Sequence, residues 1–208
     1  ITLRLFNLAL DDLELAARLM PQEPDDWEPD GQPNSRNQPT STNHSNILYH
    51  LGLAHYLTGE FAEAADAWRQ CAEISRTDDM RIAADYWLYL SLRRANRNAQ
   101  AETVLASVSQ NMEIIENHTY YRLLLLFKGD MNVAGVMNVD ASQATLGDDT
   151  IDEATAGYGI GMWHQLRGER EAANTQWRTV IDTTNWAAFG HIAAETELAR
   201  QLAIEQLP

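Results

Sequence analysis

Six histidines, one cysteine and thirty carboxylates are the side chains here with types suited to metal binding, nucleophilic attack or proton transfer. The histidines stand at 44, 50, 55, 118, 164 and 191, and no pair has the i, i+4 spacing that puts two ligands on one helix face. Cys71 stands alone, which rules out an intramolecular disulfide framework and a multi-cysteine zinc site. At its position it reads as a small buried hydrophobe. Gly157-x-Gly159-x-Gly161 resembles a phosphate cradle only superficially, because no strand precedes it, and it reads as close helix packing. The paired carboxylates Asp11/Asp12, Asp25/Asp26, Asp78/Asp79 and Asp148/Asp149 fall at helix starts or in loops, where the helix dipole favours negative charge. Asp148-Asp149-x2-Asp152 lacks the calcium-loop pattern. These spacings imply no catalytic, metal-binding or cofactor-binding residue.

The elements that carry these side chains are legible from composition. The 208 residues are 45% apolar with a net charge of −15, which disfavours nucleic acid and anionic lipid as partners. The purest apolar run, Leu123 to Phe127, is far shorter than the roughly 18 residues of a membrane span, so no integral membrane segment is expected. Ile1 is not an initiator. The natural start is therefore expected to lie outside this sequence with any signal segment, and the compartment stays open between cytoplasm and export.

Prolines stand at 21, 24, 29, 33, 39 and 208, leaving Thr40 to Leu207 without one. A helix interior excludes proline at about 3 kcal/mol each, and no segment alternates apolar and polar residues for long, so the body is all-α. Gln22 to Ser45 holds four prolines, many turn-forming residues and a lone apolar ring, Trp27. Trp27 is expected to pin this loop, which folds back on the helices that follow and buries the indole near Tyr49, Tyr56 or Tyr86; the competing reading is a mobile linker with Trp27 in water.

An internal repeat organises the rest. Tyr49–Arg69 and Tyr158–Arg178 align without a gap, with identities at Tyr49/Tyr158, Gly52/Gly161, His55/His164, Leu57/Leu166, Gly59/Gly168, Glu60/Glu169, Ala64/Ala173, Trp68/Trp177 and Arg69/Arg178. The offset is three periods of about 36 residues, and Leu88, Leu92, Asn96, Ala101 and Leu105, then Leu125, Gly129 and Ala134, repeat the spacing between them. Gly52 and Ala64 are expected to face each other across a hairpin, Gly59 to end its first helix in a left-handed conformation, and Trp68 to fill the space between hairpins. His55 and His164, at equivalent places, read as packing residues.

The pattern Leu48-x2-Leu51-Gly52-x2-His55, Gly59, Ala64-x3-Trp68, and its echo Gly157-x2-Ile160-Gly161-x2-His164, Gly168, Ala173-x3-Trp177, resembles the tetratricopeptide repeat family. The consensus tryptophan, tyrosine and closing proline are replaced. The resemblance implies a right-handed α-α superhelix of about four and a half repeats plus a C-terminal capping helix. Residues 1–21 would be the second helix of a truncated repeat (Phe6, Ala9, Leu13, Ala16, Pro21), 22–45 an inserted loop, 46–185 four repeats, and 186–208 the cap.

It also implies a concave groove for a protein or peptide partner. By repeat frame the groove takes Asn46, Tyr49, Leu53, Tyr56 and Leu57; Ala83, Tyr86, Leu90, Arg93 and Arg94; Glu116, Thr119, Leu123, Leu126 and Phe127; and Thr155, Tyr158, Met162, Gln165 and Leu166. Members that hold chaperone tails use a lysine and asparagine clamp, and Tyr49 and Tyr86 stand in its place, while Arg93 and Arg94 suit an acidic group on a ligand. The expected function is a non-catalytic partner-binding scaffold. The alternatives are a small-ligand protein or enzyme with a pocket closed by the 22–45 loop, and a homo-oligomeric assembly.

Overall fold

The computed structural model describes residues 1–28, 34, 36–138 and 149–205. Among them there are ten α-helices and no strand: α1 Phe6–Leu19, α2 Asn43–Thr58, α3 Phe61–Ile74, α4 Asp78–Arg94, α5 Asn98–Ser107, α6 His118–Lys128, α7 Val133–Met137, α8 Asp149–Leu166, α9 Arg170–Ile181 and α10 Phe189–Glu205. Consecutive helices pair as antiparallel neighbours, α2 with α3, α4 with α5, α6 with α7 and α8 with α9, and each hairpin stacks on the next.

Local chemistry sets the boundaries. Thr42 and Ser45 form a reciprocal capping box that starts α2, and Thr77 caps α4 by accepting from the Met80 N–H. Asp78 and Asp79 occupy the first turn of α4 and Arg93 and Arg94 its last, the order the helix dipole favours. The first helices of the first, third and fourth hairpins end at Gly59, Gly129 and Gly168, all with positive φ, where a Cβ would be strained.

Close approach explains the other repeated glycines. A Cβ on Gly52 would run into the Trp68 indole, and one on Gly161 into Trp177. The partner of Gly52 is therefore the ring four residues beyond Ala64, a refinement of the expected Gly52–Ala64 contact. In α8, Gly157 lies against Val180, Gly159 against Leu123 and Gly161 against Trp177. The glycine run thus lets α6 and α9 approach α8 from two sides, as its packing reading requires.

The C-terminal helix does more than cap. It packs on α8 and α9 and also returns to the first hairpin. Arg200 donates to the carbonyls of Tyr56 and Leu57, both at 2.8 Å, and Phe189 meets the His50 ring edge-on at 5.6 Å. Arg4, before α1, binds Glu195 at 2.7 Å, so both ends of the described chain meet on α10. Trp186 precedes this helix and is exposed, so the C-terminal helix begins at Phe189 and not at residue 186 as expected for the cap.

Replacing Gly52 or Gly161 with leucine drives a side chain into a fully buried indole, and each variant should lose on the order of 1–3 kcal/mol or more. Gly129 has open space around its Cβ direction, so Gly129→Ala should show only the backbone strain, about 1 kcal/mol. Thermal melts that leave both Gly52→Leu and Gly161→Leu at the wild-type midpoint would refute this packing.

Candidate functional site

The repeat-frame positions do converge on one interior surface. Leu53, Tyr56, Tyr86, Leu90, Leu123, Tyr158 and Met162 are all fully buried, however, so they line a filled core and not an open groove. Their rings occupy the space. Trp68 stacks on Trp87 at 6.0 Å, Trp87 on Tyr158 at 5.6 Å, and Tyr158 on Trp177 at 6.3 Å, a column joining the first, second and fourth hairpins. Tyr56 and Tyr158 share a hydrogen bond between hydroxyls at 2.8 Å, and Tyr49 shares one with Tyr120 at 3.1 Å. Burial pushes the phenols of Tyr49, Tyr86 and Tyr158 well above their ordinary value and that of Tyr56 up to about 12, so they stay neutral.

The arginines are already engaged. Arg94 binds Glu197 of α10 at 2.6 Å, and the same buried carboxylate takes Arg200 at 2.7 Å. The acidic group that Arg94 suits is thus supplied by the chain itself. Arg93 turns the other way and donates to the Tyr89 hydroxyl at 2.8 Å. Gln165 is half-buried, and Asn46 is held by both carboxylate oxygens of Glu28 at 2.8 Å.

Trp27 corrects the loop expectation. It is 42% exposed and lies under the Arg76 guanidinium at 5.6 Å, where a cation–π contact holds it on the surface. The described part of the loop is nonetheless tied down. Residues 27 and 42 form an antiparallel bridge, Asp25 accepts from the His44 N–H at 3.0 Å, and Thr77 donates to the Thr40 carbonyl at 2.6 Å. Thr40 and Asn34 both donate to Glu116, at 2.6 and 3.0 Å, and Arg36 pairs with Glu113.

What remains open is the mouth, at the N-terminal ends of the first helices. A cavity of about 270 Å³ lies there, walled by Tyr49, Tyr120, Ile151 and Phe189 and bordered by Glu116, Thr119, Asp152 and Thr155. Of the twenty repeat-frame positions expected to line the groove, Tyr49, Glu116, Thr119 and Thr155 reach it. Glu116 and Thr155 belong to the repeat frame at its first position in each unit, and that position is the signal that marks the mouth. Tyr120 and Phe189 fall outside the frame. Burial raises the Glu116 carboxyl above its usual range, and the hydrogen bonds from Thr40 and Asn34 oppose that rise. Asp152 accepts from the Thr119 hydroxyl at 2.8 Å. Behind the mouth, fully buried Asp79 accepts from the backbone N–H groups of Ile115, Glu116 and Asn117, which fixes the entry to α6. Reading Asp78/Asp79 only as dipole partners missed this role.

The isolated chemical groups have local roles. His55 and His164 each hydrogen-bond through Nδ1 to the glutamate five residues on, Glu60 at 2.8 Å and Glu169 at 2.6 Å, bracing the same turn in two hairpins. Cys71 is buried, with its thiol pushed up to about 12 by desolvation. Among the described residues no group of three His, Cys, Asp or Glu could hold a metal ion, and no helix is long and apolar enough to cross a membrane. The Asp148–Asp152 candidate lies partly outside the described residues.

Stacked antiparallel hairpins with small residues at the crossings and large rings between them define a helical-hairpin repeat protein. Residues 45–78, spanning α2, α3 and the start of α4, match the tetratricopeptide repeat family, so the first hairpin is similar to one such repeat. No curated protein and no solved structure matches the chain.

Glu197→Ala should cost about 2–3 kcal/mol, less than the 3–5 of a fully buried pair because Arg94 and Arg200 keep some solvent. Hydrogen exchange should then quicken along α10, and an unchanged α10 would sink this account of the closed interior.

A second concavity lies between α3, α4 and α5, and Asp85 at its edge is nearly dry, 3.6 Å from the Arg81 guanidinium. Desolvation pushes its carboxyl up to about 6. The folded protein therefore holds this proton more tightly than the unfolded chain, so stability falls as pH rises from about 4 to 6. Relative to Asp85→Asn, the wild type should lose roughly 2–3 kcal/mol between pH 4 and pH 7.5. Denaturant midpoints whose difference does not vary with pH would contradict it.

Proposed function

We propose that this helical-hairpin repeat protein is a non-catalytic scaffold that grips its protein partner at the mouth cavity and not along the interior face. The repeat match supports a protein partner, and the net charge of −15 argues against nucleic acid. The observation that carries the site is the cavity itself. It is the place where frame residues of the first, third and fourth hairpins stay reachable, while the deeper positions are sealed by the ring column and α10. At about 270 Å³ it has room for a side chain or a chain end and falls just below the 300–1,000 Å³ of small-molecule sites. Its rings supply apolar contact, and the carboxylates and hydroxyls at its border favour a group that offers hydrogen-bond donors.

The reading as a small-ligand pocket closed by the loop has one observation in its favour. Asn34 and Thr40 of the loop hold Glu116 in the cavity wall. The two readings separate by experiment. A photo-crosslinking residue at Ile151 or Ala187 should capture a protein partner, and one at Gln100, in the α3–α5 concavity, should not. Equal capture from Gln100 would overturn the site. A compound of low mass retained in native mass spectrometry, with no crosslinked protein, would transfer the cavity to the second reading.

A further inference from the structure

The face of α4 turned into the concavity between α3 and α5 changes character along its length. Arg81, Asp85, Leu88 and Leu92 follow at i, i+4, i+7 and i+11, a stripe with charge at one end and apolar surface at the other. Ala72 of α3 and Val104 of α5 add apolar wall. The volume is about 350 Å³, inside the roughly 300–1,000 Å³ of small-molecule sites. Asp85 is 3% exposed, yet its Oδ2 accepts no hydrogen bond from a described residue. Arg81 Nε stands 3.6 Å away, too far to donate. The other dry carboxylates, Asp79 and Glu197, are each met by several donors. Asp85 differs from both, and it lines a cavity through which a ligand can bring the donor.

The neighbours define that ligand. A cationic donor suits a dry carboxylate best. Arg69 already donates to Asp66 at 2.8 Å, whereas half-exposed Arg81 forms no other ion pair among the described residues and can take an anionic group lying beside the cation. Opposite charges one bond apart on a shared carbon are the head group of an α-amino acid. We propose that this concavity binds a free α-amino acid with an aliphatic side chain, its ammonium on Asp85, its carboxylate on Arg81 and its side chain over Leu88 and Leu92. The site shares no lining residue with the mouth. Asp85 must be ionised to hold the ammonium, and burial pushes its carboxyl up to about 6. The groups facing it are Arg81 on its own helix and Arg69, Glu73 and Cys71 on α3, the last a thiol pushed up to about 12, while α5 presents Gln100, Thr103 and Ser107, which do not titrate. Affinity should therefore fall roughly tenfold from pH 7.5 to pH 5.

Titration with leucine up to roughly 20 mM should saturate and shift the backbone amide resonances of Leu88, Thr103 and Val104, leaving those of Thr119 and Ile151 at the mouth in place. Asp85→Asn should weaken binding roughly tenfold or more with an unchanged helical spectrum. N-acetyl-leucine, which lacks the ammonium, should not bind. Leucinamide should bind roughly fivefold more weakly than leucine, and Arg81→Gln should abolish that difference. No saturation by leucine, shifts gathered at the mouth, or full affinity in Asp85→Asn would each overturn the proposal. So would leucinamide or a leucine-led tripeptide that matches leucine, because the carboxylate would then go unread and the ligand would be a simple amine or a peptide N-terminus.

Discussion

The structure depends on one geometric constraint, the stacking of Trp68, Trp87, Tyr158 and Trp177 through the middle of the molecule. Interplanar angles of 12° to 27° mean that these rings lie nearly parallel, each offset from the next. Offset stacking needs flat access on both sides of a ring, and that access comes from missing side chains. Gly52 opens the wall beside Trp68, and Gly161 opens the wall beside Trp177. The column spans hairpins more than a hundred residues apart, so it turns a stack of neighbours into one core. In an ordinary solenoid each repeat touches only the next. Here the first and fourth hairpins touch directly, through Tyr56 and Tyr158.

That contact closes the interior, and α10 completes the closure. Glu197 is nearly without solvent between two arginines from different parts of the chain, one on α4 and one on α10 itself. A buried carboxylate is tolerated only when donors surround it. Asp79 follows the same rule at the other side of the core, with three backbone N–H groups in place of arginines. The two carboxylates act as locks. One fixes where the last helix crosses the first two hairpins, and the other fixes where the third hairpin begins.

These arrangements explain which features were legible in the sequence. The nine identities between the first and last full hairpins mark the close crossings, although the group that meets Gly52 is the Trp68 ring and not the expected Ala64. Gly59 and Gly168 announce left-handed helix ends because only glycine takes that conformation cheaply. The interior was harder to read. A tyrosine or leucine has the same type and spacing whether it lines an open groove or packs in a core, so Tyr56, Tyr86 and Tyr158 carried no mark of their burial. The mates of Arg94 lie some hundred residues away, beyond the reach of any local spacing. Trp27 misled for a related reason. An aromatic ring in a polar loop signals that something holds the loop, but an arginine on the surface can do that as well as a core.

The mouth differs from the rest because side-chain hydrogen bonds to carboxylates border its ring-lined walls. Glu116 is held from the loop by Asn34 and Thr40, its backbone N–H is held by Asp79, and Thr119 is tied to Asp152. Each of these bonds joins residues far apart in sequence, and none involves the aromatic column. Each of these bonds ends on a carboxylate and contributes about 1.5–3 kcal/mol net, a hold on the mouth that is separate from the ring packing of the core. Binding residues set in a polar rim on a rigid interior can adapt to a partner at little cost in stability. The sealed core thus holds the helix ends at the mouth in place, and the short polar bonds at their tips lie outside its ring packing.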